Sequence, residues 1–597
     1  MTDTQTTGAA DRSGGLLDLI EWIGNKLPDP STLFLLGTIL VMVLSHIAYV
    51  NDWSVQRQLP EPVMVEQIGD DGVARMAPQR DPETNEVLIE WVATDEINRA
   101  KSLLTRDGLY WALSNLVDNF MGFAPLGVVL VGMLGIGVAE RTGLLGACLK
   151  AIMLVVPEFL FTPTMVFAGI MSSMALDAGY VVLPPLAAAL YKSVGRSPLV
   201  GIAAVFAGVS AGFNANLFIT GLDPMLAELA NTGTTVIDPN YFVNPACNWY
   251  FMIASTVVMT FVGWGVTAWF VERRFNQKSP DDGGPLPASA ADLEKQRLTP
   301  QEKRGLAVAG VTFLVVFGIV LAAIVIDGWA LHTYKAPDTQ DAVPPGVIVE
   351  LQTGDTIPEF AASANAPSYE DDGRVFFDSA KGFDRWVEAI VPILFFLFIT
   401  PAIAFGVYMK EIRNDKDLAK LLIDSMAYMA PIIVLAFFAA QFIEHFKYSG
   451  LDRMLALSGG QALGQAGLSP YTLIVAFIGV TILFNMFIGS MSAKYAMFAP
   501  IFIPMFMLVG ISPELTQAAY RIGDSVSNVI TPLNAYLVII LVFMQKYMPK
   551  SGMGTLISMM LPYTIVFTIV WTVMLMIWMA LEIPLGPGGP LWYDPVG

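Results

Sequence analysis

Long apolar runs dominate this sequence, and they constrain its fold more than any other feature. About twelve such runs alternate with polar stretches, and several reach the roughly 20 residues that an α-helix needs to cross a bilayer. Because backbone groups in hydrocarbon need internal partners, helices are the default spanning structure. We therefore predict an all-α polytopic membrane protein, in which runs that are short or broken by proline form re-entrant hairpins or interrupted helices. The runs are 31–50, 122–139, 151–170, 180–207, 250–271, 305–326, 387–408, 428–443, 471–489, 495–511, 534–547 and 556–581.

Composition and motifs argue against several other classes of protein. Only 14% of the residues are charged, whereas soluble domains carry roughly 25%. The net charge of −19 argues against a nucleic-acid partner, because such proteins tend to be basic. Cys148 and Cys247 lie far apart, so neither a disulfide framework nor a cysteine-based metal site is predicted. The sequence has no Walker or HExxH motif. We expect no enzyme activity and no cofactor, and we expect an ion gradient to supply the energy.

Lysines and arginines near the ends of the apolar runs predict the orientation in the membrane. They cluster in 272–304 and in 409–420, and such clusters mark the cytoplasmic side. This places the N-terminus inside. The predicted organisation is a cytoplasmic N-terminus (1–30), a first membrane half (31–271) with an outside segment (51–107) and hairpin one near 160–190, a cytoplasmic linker (272–304), a second half (305–582) with an outside segment (327–386) and hairpin two near 480–508, and an outside tail (583–597).

A short phrase occurs twice, as VGRSP at 194–198 and as VGISP at 509–513. The orientation above gives the two copies opposite topology. Chance similarity between Gly- and Pro-rich membrane segments is the alternative, but five elements recur in the same order. Inverted repeats with interrupted segments are the best sequence indication of a secondary transporter's binding site. The recurring elements are GIMSS and GSMSA (169–173, 489–493), Pro184 and Pro504, the VGxSP phrases, the pairs Gly208/Gly523 and Ser210/Ser525, and the IT-x-L-[DN] ends.

The second copy contains ionisable residues within a membrane segment, which indicate a functional site by default. Arg521 and Asp524 are three positions apart, so they share one helix face and can pair with each other. An ion pair that locks helices together is the alternative. Ser525, Asn528 and Thr531 follow and favour function. They supply oxygen ligands suited to Na⁺, while the carboxylate could instead carry a proton.

The first copy repeats this polar pattern without the arginine. Ser210, Asn214, Asn216, Thr220 and Asp223 lie in SAGFNANLFITGLDP. Backbone carbonyls at a helix break can add cation ligands, and the N-terminus of a half-helix can face an anionic substrate group. The alternative is that these residues are polar contacts between packed helices.

Two further places carry polar residues beside apolar sequence. Asp177 is a lone acid in MALDAGYVVLPP and is a candidate ligand of the coupling ion. The alternative is that it only lies at a hairpin tip near water. Asn485 and the stretch GSMSAKY supply an amide, hydroxyls, Lys494 and Tyr495. The lysine can alternatively extend to an interface, as long basic side chains do.

Six stretches of this sequence resemble the AbgT family, the p-aminobenzoyl-glutamate transporters. The resemblance extends over the membrane part, from about residue 16 to residue 582. The two outside segments are longer than expected for the family. The matching stretches are EWIGNKLPDPSTLF (21–34), DAGYVVLPPLAAALY (177–191), SAGFNANLFITGLDP (210–224), AFFAAQF (436–442), GSMSAKYAMFAPIFIPM (489–505) and YRIGDSVSNVITPLNAY (520–536).

The resemblance implies a homodimer in the bacterial inner membrane, with about nine transmembrane helices and two re-entrant hairpins in each subunit. It implies that the functional residues are Asn485, Pro513, Arg521 and Asp524, and that Tyr495 stands where the family usually has Trp. Arg521 would clamp an anionic group by forked hydrogen bonds, and Tyr495 would stack on an aromatic ring. Asp524 would carry the coupling proton or help to ligate Na⁺, and Pro513 would break the helix after hairpin two.

We therefore predict a secondary active transporter of p-aminobenzoyl-glutamate or related aromatic acids. The specific expectation is export of p-aminobenzoate-like antimetabolites, including sulfonamides, driven by the proton motive force. One alternative is a Na⁺-coupled importer of p-aminobenzoyl-glutamate or another carboxylate. Another is a membrane receptor or assembly protein that binds ligands through its outside segments. The largest inside segment has only about thirty residues, which leaves little room for a signalling domain. The expected partners are the substrate, the bilayer and a second copy of the chain.

Overall fold

The computed structural model of this chain is almost entirely helical over the residues that it describes, as the apolar runs predict. Backbone groups in hydrocarbon are satisfied within a helix, and the long runs form the long helices. The described residues are 30–62, 64–68, 74–78, 89–154, 156–175, 178–289, 297–326, 329–332, 367–369, 375–377, 385–531, 533–534 and 536–593.

The helices follow the alternation of apolar runs and breaks in the sequence. They are α1 (Pro30–Val50), α2 (Arg106–Ser114), α3 (Leu116–Met121), α4 (Ala124–Arg141), α5 (Leu144–Leu154), α6 (Phe161–Met171), α7 (Ala178–Ser193), α8 (Pro198–Phe206, extended by a π-turn at Ala207–Ala211), α9 (Leu222–Thr234), α10 (Trp249–Phe275), α11 (Pro300–Val325), α12 (Arg385–Glu388), α13 (Ile390–Met409), α14 (Asp415–Tyr428), α15 (Ala430–Ser449), α16 (Leu451–Gln465), α17 (Pro470–Asn485), α18 (Met491–Met507), α19 (Pro513–Ser527), α20 (Tyr536–Gln545) and α21 (Met553–Ala580).

The β-strands of the described residues lie in the two predicted outside segments. In the first, β1 (Ser54–Pro62) pairs antiparallel with β4 (Ile89–Arg99), and β2 (Met64–Ile68) pairs antiparallel with β3 (Ala74–Pro78). In the second, the short strands β5 and β6 pair antiparallel; they are Pro367–Tyr369 and Val375–Phe377. Most of the second segment, and the N-terminal segment before Pro30, lie outside the described residues.

Within the described part of the chain, six helices are long and apolar enough to cross a membrane: α1, α10, α11, α13, α15 and α21. A seventh span results if α4 and α5, which are bent by 68° relative to each other, count as one. Two broken segments, α8–α9 and α19–α20, contain shorter apolar helices. The chain is an all-α polytopic membrane protein.

Hairpin one consists of α6 and α7, which run antiparallel. The hydroxyls of Thr162 and Tyr191 lie 2.5 Å apart at its open end. At its tip, a Cβ placed on Gly179 would lie only 2.6 Å from the Cβ of Ser172. Glycine therefore permits the close return of the chain at this tip.

Hairpin two consists of α17 and α18, and edge-to-face contacts between aromatic rings hold its arms together. The ring centroids of Phe477 and Phe506 are 5.3 Å apart, and those of Phe484 and Phe498 are 5.1 Å apart. Later residues of α17 face earlier residues of α18, so the arms are antiparallel. The tip of hairpin two lies between Asn485 and Met491.

The duplicated VGxSP phrase has the same conformation in both copies. Gly195 and Gly510 have φ angles of +76° and +78°, a left-handed conformation that glycine adopts without strain. The following serine is the N-cap, and the proline takes one of the first helical positions of α8 or α19, where its missing N–H costs nothing. Pro513 therefore starts α19, so the chain leaves hairpin two as a separate helix.

The two copies also pack alike. A Cβ on Gly208 of α8 would lie 3.0 Å from the Cα of Gly169 in α6, and a Cβ on Gly523 of α19 would lie 2.6 Å from the Cβ of Thr481 in α17. Each of these helices thus packs closely on the first arm of its own hairpin. The helix after each break packs on the other hairpin instead: α9 contacts α18, and α20 contacts α7. The two repeats are therefore interlocked, and their breaks lie beside the hairpin tips.

Candidate functional site

Helix α19 is buried along its whole length, although it is polar. All of its residues from Pro513 to Ser527 are buried, and they include Glu514, Arg521 and Asp524. Charged side chains in such surroundings are costly unless they are paired. The partners of these side chains therefore define the candidate site.

Arg521 pairs with an acid from the first repeat. One Nη atom of Arg521 lies 2.5 Å from Oδ1 of Asp223, and the two side chains are 2% and 9% exposed. The other carboxylate oxygen of Asp223 accepts hydrogen bonds from the backbone N–H of Thr220 at 2.6 Å and from its hydroxyl at 2.8 Å. Asp223 lies in the first turn of α9, where the helix dipole favours an anion. This ion pair links the two repeats.

Asp524 pairs with Lys494 on hairpin two and not with Arg521. Nζ of Lys494 lies 2.7 Å from Oδ1 of Asp524, and both side chains are essentially inaccessible to solvent. The expectation that Arg521 and Asp524 pair with each other is therefore wrong, as is the alternative that Lys494 extends to an interface. Arg521 and Asp524 are each neutralised by a residue on another element, because α9 and hairpin two approach α19 closely enough to supply a counter-ion.

Asn485 ties the tip of hairpin two to the end of α19. Its side-chain amide nitrogen lies 2.8 Å from the backbone oxygen of Asp524, 2.9 Å from the Ser527 hydroxyl and 2.8 Å from the Asn528 side-chain oxygen. Its own backbone oxygen accepts a hydrogen bond from the Thr531 hydroxyl at 2.9 Å. Its side-chain oxygen accepts a short hydrogen bond from Lys494. Asn528 and Thr531 thus join the same cluster as Asp524.

Two asparagines connect the breaks of the repeats in a reciprocal way. The side-chain nitrogen of Asn214 donates to the Ser525 hydroxyl at 2.7 Å, and the backbone N–H of Asn214 donates to it at 3.2 Å. The side-chain nitrogen of Asn534 donates to the Ser210 hydroxyl at 3.2 Å. Because Ser210 and Ser525 occupy matching positions of the repeats, each break reaches the helix of the other repeat.

Asn216 makes its contact with a different element from the rest of the predicted site. Its side-chain oxygen accepts a hydrogen bond from Ser173, at the tip of hairpin one, at 2.6 Å. The structure therefore places Asn216 with hairpin one, and Arg521 and Asp524 with hairpin two and α9. Asp177 lies outside the described residues, and its role stays a prediction.

Tyr495 packs inside the same region of hairpin two. Its ring lies 4.5 Å from the ring of Tyr520, centroid to centroid, and the side chain is fully buried. Its hydroxyl has no hydrogen-bond partner, and neither do Nε of Arg521, the side-chain oxygen of Gln517 and the side-chain oxygen of Asn248. Buried polar atoms are normally paired, so these atoms are available to a ligand or to water.

The sequence reasoning missed a second polar face of α19. Glu514 is 1% exposed and accepts a hydrogen bond from the Tyr241 hydroxyl at 2.9 Å. Its backbone oxygen accepts one from Asn248 at 3.0 Å. Gln517 lies one turn further on and contacts the Cys247 sulfur at 3.8 Å. Glutamate just after a Ser-Pro start resembles an ordinary exposed helix N-terminus. One signal in the sequence could have revealed them: the spacing of Glu514, Gln517 and Arg521 places all three on one face of the helix.

Comparison with known proteins shows the family of this chain. Residues 15–345 and 380–593 match the family model described as "AbgT putative transporter family". The chain belongs to the AbgT transporter family. It is 32% identical over 586 residues to the p-aminobenzoyl-glutamate transport protein of Escherichia coli K12, with 97% of each chain covered.

Two solved structures of transporters share the fold of this AbgT-family chain. The first is YdaH of Alcanivorax borkumensis, with a TM-score of 0.75, 33% identity and coverage of 94% of this chain and 100% of that one. The second is MtrF of Neisseria gonorrhoeae, with a TM-score of 0.76, 35% identity and coverage of 96% and 100%. The MtrF structure is described as illuminating a class of antimetabolite efflux pumps. The resemblance noted in the sequence is thus confirmed, and the chain is a multi-pass membrane transporter.

Proposed function

We propose that this chain is a secondary active transporter of p-aminobenzoyl-glutamate or related aromatic acids. In this proposal it exports p-aminobenzoate-like antimetabolites, including sulfonamides, in exchange for protons. The named E. coli relative and the MtrF structure support this class of substrate. The observation that carries the proposal is the ion pair between Arg521 and Asp223, which joins the two repeats at their breaks.

An anionic substrate competes with Asp223 for Arg521. The guanidinium has five donors in a planar fork that suits a carboxylate, and its Nε is unpaired in the structure. A substrate carboxylate that takes this position displaces the Asp223 carboxylate. A displaced and buried carboxylate is costly, so Asp223 and the substrate carboxylate occupy Arg521 in turn. In an exchanger the proton must also leave the site when the substrate binds, because uptake of both together would move them in the same direction.

Tyr495 completes this arrangement for an aromatic substrate. Its ring gives a flat apolar surface, and its unpartnered hydroxyl can hydrogen-bond to a polar group of the substrate. Arg521 then fixes the anionic end. Asp524, which is held by Lys494, is the second carboxylate for the coupling ion.

Na⁺-coupled import is the second candidate, because neutral oxygens cluster at both breaks. In the first repeat they come from Ser210, Thr220 and the asparagine side chains, and in the second from Ser525, Asn528 and Thr531, each of which makes a contact there. Uncharged oxygens of this kind, together with backbone carbonyls, coordinate Na⁺ in transporters with broken helices. The two candidates differ in coupling ion and direction.

We further propose a homodimer in the bacterial inner membrane, with the N-terminus in the cytoplasm and no enzyme activity. The orientation rests on the basic residues of 272–304 and 409–420. Cysteine labelling from either side of the membrane tests it.

Flux measurements in reconstituted vesicles test the function. Labelled p-aminobenzoate is loaded on one side, and a pH gradient or a Na⁺ gradient is imposed separately. Movement of p-aminobenzoate against its own gradient, driven by the pH gradient alone, supports the proposal. Accumulation driven only by Na⁺ supports the second candidate, and the absence of flux under both gradients contradicts both.

A further inference from the structure

The ammonium group of Lys494 lies among buried oxygen atoms of the second repeat. It lies between a carboxylate oxygen of Asp524 and the side-chain oxygen of Asn485, on two different elements. We propose that Lys494 is a tethered cation, which replaces a bound Na⁺ in the second repeat. This inference rests on the proposed transport function. It adds to that function an account of which group neutralises the Asp524 carboxylate in the second repeat.

The surroundings of the ammonium group support this assignment. Lys494 is fully buried, and its Nζ lies 2.7 Å from Asp524. The face of the Tyr520 ring lies 5.9 Å from Nζ, within the range of a cation–π contact. Carboxylate and amide oxygens are the ligands that hard cations such as Na⁺ prefer. The ammonium group and Na⁺ would therefore compete for the same oxygens.

The first repeat gives an internal comparison. Counting from the matching serines Ser210 and Ser525, the position of Asp524 corresponds to Val209. Counting from the matching serines of the hairpin tips, Ser172 and Ser492, the position of Lys494 corresponds to Met174. Both charges are thus replaced by apolar side chains of the other repeat. The scaffold tolerates the absence of the pair, which indicates that the lysine is present because of Asp524.

Removal of the ammonium group alone would leave a negative buried site with two oxygen ligands. A single buried charge without a partner is strongly destabilising. Na⁺ can relieve this cost because it supplies the missing positive charge at the same oxygens. Removal of both charges would leave an apolar pair, as in the first repeat, with no demand for a cation. The proposal therefore predicts that dependence on Na⁺ appears in the single variant and disappears in the double variant.

The experiment compares the full-length wild type, Lys494→Met, and the double variant Lys494→Met with Asp524→Val. Thermal unfolding of the purified proteins is followed in NaCl and in choline chloride at the same ionic strength. We expect Na⁺ to raise the unfolding midpoint of Lys494→Met by about 3 °C or more relative to choline. The wild type and the double variant should show a clearly smaller Na⁺ effect. Flux of p-aminobenzoate in Lys494→Met should likewise require Na⁺ more than flux in the wild type does.

Several results would overturn the proposal. One is a Na⁺ effect on Lys494→Met that is no larger than on the wild type. Another is a Lys494→Met protein that unfolds in both salts while the double variant folds, since the lysine would then only neutralise Asp524 and no free cation could replace it. A third is an equally large Na⁺ effect on the single and double variants. Because the unfolding measurement uses no organic substrate, a failure of the proposed substrate class would appear only as absent p-aminobenzoate flux in the wild type.

Discussion

Helices α8 and α19 occupy equivalent positions in the two repeats, yet their chemistry differs. Both start with the same left-handed glycine and N-terminal proline, and both pack closely on their own hairpin through a glycine. Where α19 carries Arg521 and Asp524, α8 carries Phe206 and Val209 at the matching positions. The backbone arrangement is therefore shared, while the buried positive charge and its neighbouring carboxylate belong to the second repeat alone. The same backbone arrangement therefore carries different buried side chains in the two repeats.

The first repeat nevertheless contributes a charge. Asp223, beyond its break, is the counter-ion of Arg521. The neutral contacts are reciprocal, since Asn214 reaches Ser525 and Asn534 reaches Ser210. The first copy thus supplies one charge in addition to its neutral side chains. Each repeat completes the site of the other, so that relative movement of the repeats would alter the Arg521 contact directly.

Asp524→Asn should have the largest effect, because it removes a carboxylate and leaves Lys494 buried without its counter-ion. Loss of one partner of a buried ion pair costs about 3–5 kcal/mol of stability. We expect gradient-driven flux of labelled p-aminobenzoate to fall by about 100-fold or more, beyond any loss of folded protein. Val209→Ala, at the matching position of α8, is the control and should leave flux per folded molecule largely unchanged. Undiminished flux in Asp524→Asn would contradict the role of this carboxylate.

Arg521→Lys should have the next largest effect on transport. Lysine keeps the positive charge but lacks the planar fork that holds a carboxylate by two parallel hydrogen bonds. We expect flux to fall by about tenfold or more while the protein stays folded, because Asp223 retains a cationic partner. The control is Phe206→Leu at the matching position of α8, which changes packing only. Wild-type flux in Arg521→Lys would show that a forked contact is not needed, so that charge alone would distinguish the two helices.

The apolar runs and the duplicated phrase were sufficient to predict the helical fold, the breaks and the presence of two structural repeats. They were sufficient because each depends on local spacing, such as the proline after the N-cap serine or the glycine at each close contact. Local spacing did not predict the counter-ions of the buried charges. The partner of Arg521 is 298 residues away in the sequence, and the partner of Asp524 lies on a hairpin arm. A spacing of three identifies only neighbours on the same helix. Here the counter-ions of Arg521 and Asp524 come from other helices, which tertiary packing brings close.

Glu514 and Gln517 illustrate the same limit. They look like the ordinary polar start of a helix, and only the approach of Tyr241 and Cys247 from the segment around α10 buries them. Burial of both flanking sides of α19 depends on how the two repeats interlock. No single stretch of sequence contains that information.

Ser525→Ala should lower stability more than Ser210→Ala, although the two serines occupy matching positions. The Ser525 hydroxyl accepts two hydrogen bonds from Asn214, whereas Ser210 accepts one, at 3.2 Å, from Asn534. A buried donor left without its partner costs about 1–3 kcal/mol. We expect the unfolding midpoint of Ser525→Ala to be the lower of the two, measured in the same detergent. Equal midpoints would mean that the contacts across the repeats are equivalent.

Tyr495→Phe should have the smallest effect on stability and a specific effect on binding. The Tyr495 hydroxyl is buried without a partner, so its removal should leave stability unchanged within about 0.5 kcal/mol or raise it slightly. The ring remains and can still pack on Tyr520 and on a substrate. If a substrate uses the hydroxyl, its affinity should fall by about three- to tenfold, in line with the loss of one hydrogen bond, and saturation of p-aminobenzoate flux measures this. A clear loss of stability would show that the hydroxyl already has a structural partner. Tyr495 would then resemble the purely structural residues of α8 more than the polar residues of α19.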